Sequence, residues 1–359
     1  MTKFLKDIHW PIILLTLGIS LSSIIFIYSA TFRGEENFII KQLIWIGIAQ
    51  IFMWFVILAG YRSFLNSAYL LYGISICLLI GVLAFGHQRL GAQRWFQIGS
   101  FALQPSELSK IATILALAHF LLYRDRWIAQ KRSLLMASLI VILPFILILK
   151  QPDLGTAMVF IAITVAIILI WGIRLRYLAI IFSLVLIAAP FLWFTLKPYQ
   201  QKRLTVFMNP NVDPLGAGYT VTQSKIAVGS GGLIGKGWLQ GTQTQLDFVP
   251  EHHTDFIFCV VGEEFGFLGS LLFIFLYGVL ISYAIQIMEH TTDRGAQLLA
   301  AGISAMLFFQ IFINIGMTIG IAPITGITLP LLSYGGSSLM ATFIAVGFLV
   351  SIYKERSIF

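Results

Sequence analysis

The chain has 359 residues, of which 58% are hydrophobic and 11% are charged, and its formal net charge is +8. A soluble domain carries about 25% charged residues, so this composition excludes an ordinary soluble protein and indicates a membrane protein with many spans. Lys and Arg gather beside the ends of apolar segments and form no basic stripe with interleaved aromatics, which argues against nucleic-acid binding. Two cysteines, Cys77 and Cys259, cannot make a disulfide framework.

Hydropathy predicts an all-α polytopic fold with about ten transmembrane helices, because a span needs about 20 mostly apolar residues. The predicted spans are residues 10–30, 38–60, 65–85, 106–123, 133–149, 155–172, 177–196, 267–288, 296–321 and 338–353. The Lys and Arg of the short loops favour the side that holds both termini, which the positive-inside rule assigns to the cytoplasm. We interpret residues 1–359 as one membrane domain, with a long extracellular loop, 197–266, between helices seven and eight.

The first polar cluster, QRLGAQRWFQIGSFALQPSELSK, precedes the fourth span. A helix is predicted to begin near residue 105, which places Glu107 and Lys110 three positions apart on one face. These two residues form either a structural ion pair or a functional pair that faces a cavity, since charges at membrane depth are costly. Arg94 and Trp95 are candidates for binding an anionic, lipid-linked head group; Trp95 is alternatively an interface anchor.

The turn between the fifth and sixth spans, LKQPDLGT, is the second cluster and carries the charge pair Lys150 and Asp153. The long loop that follows the seventh span then shows turn signals in MNPNVDPLGAGY. The next stretch, TVTQSKIAVGSGGLIGKGW, predicts a short helix at the membrane interface followed by a glycine-rich backbone.

The third cluster, FVPEHHTDFIFCVVGEEFG, closes that loop. Asp255 stands directly before an apolar triplet, so burial is expected to raise the pKa of its carboxyl and to make it a better general base. The alternative is that Thr254 or Asp255 caps a short helix. Glu263 and Glu264 stand at the mouth of the eighth span, where one of them is either a helix-start carboxylate favoured by the helix dipole or part of the functional cluster.

Two adjacent histidines, His252 and His253, lie among these carboxylates. Their spacing does not match a dedicated zinc site, and interface or phosphate-facing roles fit better. No cofactor is indicated with certainty, although a transient divalent cation beside the carboxylates is an open alternative.

The fourth cluster, LPLLSYGGSS, interrupts the apolar sequence before the last span and contains Ser333, Gly335 and Gly336. Broken backbone at membrane depth is tolerated where it lines a cavity, and glycine amides can cradle phosphate. All four clusters are predicted to lie on the same outer face, which is a stronger signal than any one of them.

Taken in order, GAQRWFQIG…QPSELSK, QPDLGTA, GTQTQLDFVPEHHTDFIF…GEEFG and TGITLPLLSYGGSS resemble the SEDS proteins (shape, elongation, division and sporulation), and more closely the elongation than the division members. The resemblance implies a ten-span glycosyltransferase that polymerises lipid II on the outer face of the bacterial cytoplasmic membrane. It implies a class B penicillin-binding protein as partner for transpeptidation. It also carries the family's essential outer-loop aspartate onto Asp255, and its QPSE-x-x-K motif onto Gln104 to Lys110.

The mechanism implied is attack of a sugar 4-hydroxyl on C1 of a lipid-linked sugar, with undecaprenyl pyrophosphate leaving. We predict Asp255 as the base, and Arg94, Lys110 or a divalent cation as the positive charge for the pyrophosphate. The predicted substrate-binding residues are Arg94, Trp95, Glu107, Lys110, Asp153, His253, Thr254, Ser333 and Gly335. A lipid II flippase is the rival hypothesis, although a flippase needs polar groups through the whole membrane; a non-catalytic scaffold of the elongation machinery leaves Asp255 without a purpose.

Overall fold

A computed structural model describes residues 7–32, 37–89, 92–99, 101–124, 130–177, 198–214 and 216–356, with residues 179, 180, 183, 187 and 194 between them. Within these residues, nine helices are long and apolar enough to cross a membrane. They confirm the all-α polytopic fold and an integral membrane protein. The predicted seventh span, 177–196, lies almost entirely outside the described residues.

The nine spanning helices alternate with shorter elements. The helices are α1 Trp10–Thr31, α2 Phe38–Ala59, α3 Tyr61–Asn66, α4 Ala68–Phe85, α5 Pro105–Leu122, α6 Gln130–Lys150, α7 Leu154–Trp171, α8 Pro198–Met208, α9 Ala217–Ser230, α10 Thr242–Gln245, α11 Ile257–His290, α12 Arg294–Ile319 and α13 Gly336–Arg356. Three short strands, β1 His87–Arg89, β2 Ala92–Ile98 and β3 Phe101–Leu103, lie between α4 and α5.

Helix ends follow the local sequence. Pro105 occupies the first turn of α5, where its missing N–H costs nothing. The Asp153 carboxylate accepts a hydrogen bond from the Thr156 amide, 3.1 Å away, and so caps α7. Asp293 caps α12 in the same way through the Ala296 amide, and Gly320 ends that helix with a left-handed φ of 79°.

The eighth predicted span begins earlier than hydropathy indicates. Helix α11 starts at Ile257 and is interrupted at Gly266, whose φ of 64° and ψ of −157° are not helical. Residues 232–237 lie against this interruption: the Lys236 amide donates to the Glu263 carbonyl at 3.0 Å and the Phe267 amide donates to the Gly232 carbonyl at 2.9 Å. The glycine-rich stretch therefore supplies hydrogen-bond partners to a broken helix.

The strands were not anticipated from the sequence. They form an antiparallel meander in the order β1-β2-β3, with His87 opposite Trp95 and Phe96 opposite Leu103. Because β3 leads directly into α5, the sheet holds β2 over the start of that helix.

The core is a helix bundle in which glycines permit close approach. A Cβ on Gly336 would lie 1.9 Å from the Trp45 ring, so α13 starts directly against α2. A Cβ on Gly302 would lie 2.7 Å from the Ile114 side chain, which brings α12 against α5. At one end of this bundle the described residues of 87–89, 92–99, 101–103, 150–154, 198–214, 216–256 and 320–335 meet, and we call this the loop-rich end.

The predicted short helix in the long loop is present as α9. Its buried face consists of Gly218, Val221, Ser224 and Ala227. The Ser224 hydroxyl donates to the Thr318 carbonyl at 2.9 Å, so this face packs on the protein.

Candidate active site

Asp255 lies at the loop-rich end, in the turn that leads into α11. The helix N-cap is Phe256, with no side-chain capping bond, so the expectation that Thr254 or Asp255 caps this helix is wrong. Asp255 is partly exposed, and within the described residues no donor reaches its carboxylate to form a hydrogen bond. The carboxylate is therefore free to accept a proton from a bound molecule.

The surroundings of Asp255 favour its protonated form. Burial raises the pKa of Asp255 to about 7, because the bulk of the protein removes water from the charged form. The negative charge of Glu251, and more weakly that of Asp153, adds to this increase, while the positive charges of Arg203 and Arg94 oppose it. A carboxylate with a pKa near neutrality is suited to general base chemistry.

Arg203 is a residue of this site that the sequence analysis missed. It projects from α8, and its Nη1 donates to the carbonyls of Ile324 at 3.4 Å and Thr325 at 3.2 Å. Burial, followed by the like charge of Arg94, lowers the pKa of Arg203 from its ordinary value. The sequence did contain a signal for Arg203. It follows the predicted seventh span on the outer side of the membrane, where the positive-inside rule predicts few Lys and Arg residues.

Arg94 is largely occupied by protein groups. Its Nε donates to the Gln151 carbonyl at 2.9 Å, one Nη donates to the Pro152 carbonyl, and the other lies 3.6 Å from Asp153 Oδ2. The predicted pairing of Lys150 with Asp153 is wrong, because Asp153 pairs with Arg94 and Lys150 is exposed. Arg94 thus ties the sheet to the turn before α7.

Trp95 follows Arg94 on β2 and is partly exposed. The strand pairing sets it opposite His87. The predicted role of Trp95 in substrate binding stays a prediction.

Glu107 and Lys110 form the ion pair that their spacing predicts. The Lys110 ammonium donates to both Glu107 oxygens at 2.8 Å, and Lys110 is only 1% exposed. On the same helix, three further hydroxyls are buried without a hydrogen-bond partner among the described residues; they belong to Ser106, Ser109 and Thr113. The burial of Glu107 and Lys110 favours a structural ion pair over a substrate-binding role, because each charge of the enclosed pair is already neutralised by the other.

His253, Thr254 and Ser333 are brought together with Asp255. The Ser333 hydroxyl donates to the Thr254 carbonyl at 2.6 Å, and the Tyr334 amide donates to the His253 carbonyl at 3.0 Å. The His253 ring contacts the rings of Phe38 and Tyr334. Two of the predicted clusters therefore meet through hydrogen bonds to the carbonyls of His253 and Thr254.

Gly335 lies just before α13, and its carbonyl accepts the Leu339 amide at 2.9 Å. A Cβ on Gly335 would make only ordinary contact, 3.8 Å from Thr328. Packing therefore does not require glycine there, whereas Gly336 is required by the Trp45 ring.

Glu263 does not start a helix, so the helix-start alternative is wrong for this residue. It is fully buried in the second turn of α11, and its oxygens accept from the amides of Gln243 at 2.8 Å and Thr244 at 3.0 Å. The Lys236 ammonium lies 2.7 Å away. Glu263 therefore caps α10 and holds the long loop to the bundle. Glu264 accepts from the Ser29 hydroxyl on α1, so it too is a tie between elements.

We expect Glu263→Gln to lower the free energy of unfolding by about 2 kcal/mol, because it leaves a half-buried Lys236 without its charge partner. Thermal unfolding in detergent measures this change. Glu289→Gln, at the exposed far end of the same helix, is the matched control and should leave the midpoint unchanged. Equal midpoints for both variants would contradict the role given to Glu263.

Comparison with known proteins gives consistent matches. The family model FtsW/RodA/SpoVE, described as cell cycle protein, matches residues 7–358. The chain is 43% identical to the peptidoglycan glycosyltransferase MrdB of Escherichia coli, over 80% of this chain and 77% of that protein. It is 35% identical to the peptidoglycan glycosyltransferase RodA of Treponema pallidum, over 98% of each.

Solved structures agree with these matches. One is a chain of a peptidoglycan synthase complex described as coordinating polymerization and crosslinking, with a TM-score of 0.85 and 31% identity, covering 97% of this chain and 98% of that chain. Another is the rod shape determining protein RodA of Thermus thermophilus, with a TM-score of 0.73 and 29% identity, covering 97% of each chain.

Proposed function

This chain belongs to the FtsW/RodA/SpoVE family and is a peptidoglycan glycosyltransferase of cell elongation, and from this premise we propose that Asp255 is the general base of glycan polymerisation. The observation that carries the proposal is a carboxylate at the loop-rich end that has no hydrogen-bond donor among the described residues and a pKa raised to about 7. A group of that kind is half ionised near neutral pH, where it both accepts a proton and binds it firmly enough to help the reaction.

The reaction we propose has lipid II as its substrate. The 4-hydroxyl oxygen of one sugar attacks C1 of the lipid-linked sugar of the growing strand, and its proton passes to an Asp255 oxygen. The new C1–O bond forms as the C1–O bond to phosphate breaks, so its electron pair leaves with undecaprenyl pyrophosphate and the anomeric centre inverts. Asp255 then returns its proton to solvent. Glycosidases use a second carboxyl group to protonate the leaving oxygen. A pyrophosphate leaves without protonation, so one base without a partner acid is sufficient here.

Arg203 is our choice for binding the departing pyrophosphate. One of its nitrogens donates to backbone carbonyls, which leaves further N–H groups of the fork for an anion. Arg94 and Lys110 were the predicted cations, but Arg94 is bonded to the turn before α7 and Lys110 to Glu107. We assign Arg94 the task of holding Asp153 and its turn in place, and Arg203 that of contacting phosphate.

A divalent cation stays part of the proposal as an alternative partner of the pyrophosphate. Within the described residues, no three His, Cys, Asp or Glu side chains lie together as a metal site. A cation held here would take ligands from the pyrophosphate oxygens as well as from Asp153 or Asp255.

We also propose a class B penicillin-binding protein as partner, because the matched synthase complex combines polymerization with crosslinking. Surrounding membrane lipids would contact the exposed apolar faces of the spanning helices. We propose the bacterial cytoplasmic membrane as its location, with both termini in the cytoplasm and the loop-rich end outside. The distribution of Lys and Arg supports that orientation.

The test is polymerisation of purified lipid II by the reconstituted native chain with its penicillin-binding partner, followed from about pH 5 to about pH 8.5. We expect glycan strands, and a kcat/KM that rises about tenfold per pH unit below pH 7 and levels off above it, because Asp255 must lose its proton to act. A flat profile would contradict Asp255 as the base. Lipid II that crosses proteoliposome membranes without forming glycan would indicate a flippase instead.

A further inference from the structure

The backbone on either side of the Asp255 side chain is held in an unusual way. Three successive carbonyls, those of His253, Thr254 and Asp255, each accept one hydrogen bond from elsewhere in the chain. The donors are the Tyr334 amide at 3.0 Å, the Ser333 hydroxyl at 2.6 Å and the Asn314 side-chain amide at 2.8 Å. The base is thus fixed through its backbone, while its carboxylate keeps its accepting capacity.

Asn314 differs from the other two donors because it binds both sides of the site at once. Its Nδ2 donates to the Asp255 carbonyl at 2.8 Å and to the Ile327 carbonyl at 2.7 Å. Ile327 follows Gly326, whose Cβ, if it had one, would lie 3.3 Å from Asp255 Oδ2. One amide therefore sets the spacing between the Asp255 turn and the segment that faces its carboxylate.

The other polar atom of the Asn314 side chain, Oδ1, is less well placed than its Nδ2. Asn314 is completely buried in α12, and its Oδ1 has no hydrogen-bond partner among the described residues. A buried acceptor left unsatisfied lowers the stability of a protein, so the Asn314 side chain carries a cost of its own. The amide satisfies the Asp255 and Ile327 carbonyls while its own Oδ1 is left without a partner among the described residues.

We infer that Asn314 is a positioning residue for the polymerisation reaction, which aligns Asp255 with the bound sugar hydroxyl by fixing the Asp255 and Ile327 backbones to α12. This inference rests on the proposed function of Asp255. Asn314 touches neither substrate nor reacting atoms; it acts through geometry, and misplacement of a base by about 1 Å can reduce a rate about 100-fold.

The experiment compares Asn314→Leu, which keeps the side chain branched at Cγ and removes both N–H donors, with Thr318→Val. Thr318 is equally buried one turn further along α12, and its hydroxyl bonds only to the Ile315 carbonyl of its own helix. Asn314→Ser is the second variant and is used if the leucine variant does not fold. Its single hydroxyl can donate one hydrogen bond in place of the two that Asn314 donates. Folding and partner binding are checked for each before lipid II polymerisation is measured.

We expect kcat of Asn314→Leu to fall about 10- to 100-fold with KM changed less than about threefold, and the serine variant to lie between it and the native chain. The acidic limb of the pH profile should move to lower pH, because a loosened Asp255 gains water. Thr318→Val should match the native chain in both respects. A folded Asn314→Leu that keeps native kcat and the native pH limb overturns the inference, as does a loss shared equally by Thr318→Val.

A double variant separates this inference from the proposed function. If Asn314 works through Asp255, adding Asn314→Leu to Asp255→Asn should cause no further loss of the residual rate. A further loss as large as the single effect would show that Asn314 acts independently of Asp255 and would overturn the inference. Full activity of Asp255→Asn alone would remove the base assignment itself.

Discussion

Replacing Asp255 with asparagine should lower polymerisation of lipid II at least about 100-fold, and up to about 10,000-fold, which is the range that a lost general base produces. The amide keeps the shape of the carboxyl but cannot take a proton from the sugar hydroxyl. Because no donor among the described residues is bonded to the native carboxylate, the substitution breaks no hydrogen bond of the fold. The loss should therefore appear in kcat, measured as glycan formed per folded molecule with the penicillin-binding partner present.

The stability of the same variant should move in the opposite direction from its activity. Burial of the Asp255 carboxylate opposes its ionisation, so a neutral amide at pH 7.5 and above should raise the thermal midpoint or leave it unchanged. Asp247→Asn, eight positions earlier on an exposed side chain of the same loop, is the control and should retain native activity. Undiminished polymerisation by Asp255→Asn would move the base to another residue of the loop-rich end.

Much of the fold could be predicted from hydropathy, because a membrane helix can be recognised from a local run of apolar residues. The limits of α1, α2 and α5 differ from prediction by at most one residue at either end. Helix α11 could not be predicted in full, since its first ten residues contain Glu263 and Glu264 and end at a non-helical glycine. The burial of Glu263 and Glu264 is explained only by partners distant in sequence, Lys236 for Glu263 and Ser29 for Glu264.

The candidate site likewise contains one residue that could be predicted from local sequence and two that could not. Asp255 was accessible to prediction because a carboxylate before an apolar triplet is unusual within a single stretch of sequence. Arg203 was not, because its relation to Asp255 depends on how α8 folds back over the segment that contains Ile324 and Thr325. Asn314 could not be predicted for a related reason. A single asparagine in an apolar span has no recognisable role until its two carbonyl partners, Asp255 and Ile327, are known.

The second large effect is expected from Arg203→Gln. If Arg203 binds the departing pyrophosphate, its loss should lower kcat/KM about 100-fold, as removal of one group that stabilises developing charge does in other enzymes. Inhibition by added undecaprenyl pyrophosphate should weaken in parallel, because the product carries the same anion. Arg203→Lys should recover part of the activity, since it keeps a charge without the planar fork.

Lys202→Gln provides the matched control for this prediction. Lys202 is the preceding residue of α8, but its side chain is exposed and its ammonium lies 3.0 Å from Asp213 Oδ2. A general effect of positive charge in the loop would lower activity in both variants by similar factors. Loss confined to Arg203→Gln, with weakened product inhibition, would instead indicate a contact with phosphate. If Arg203→Gln lost activity while product inhibition stayed native, Arg203 would act by holding the carbonyls of Ile324 and Thr325, and the pyrophosphate would require another cation.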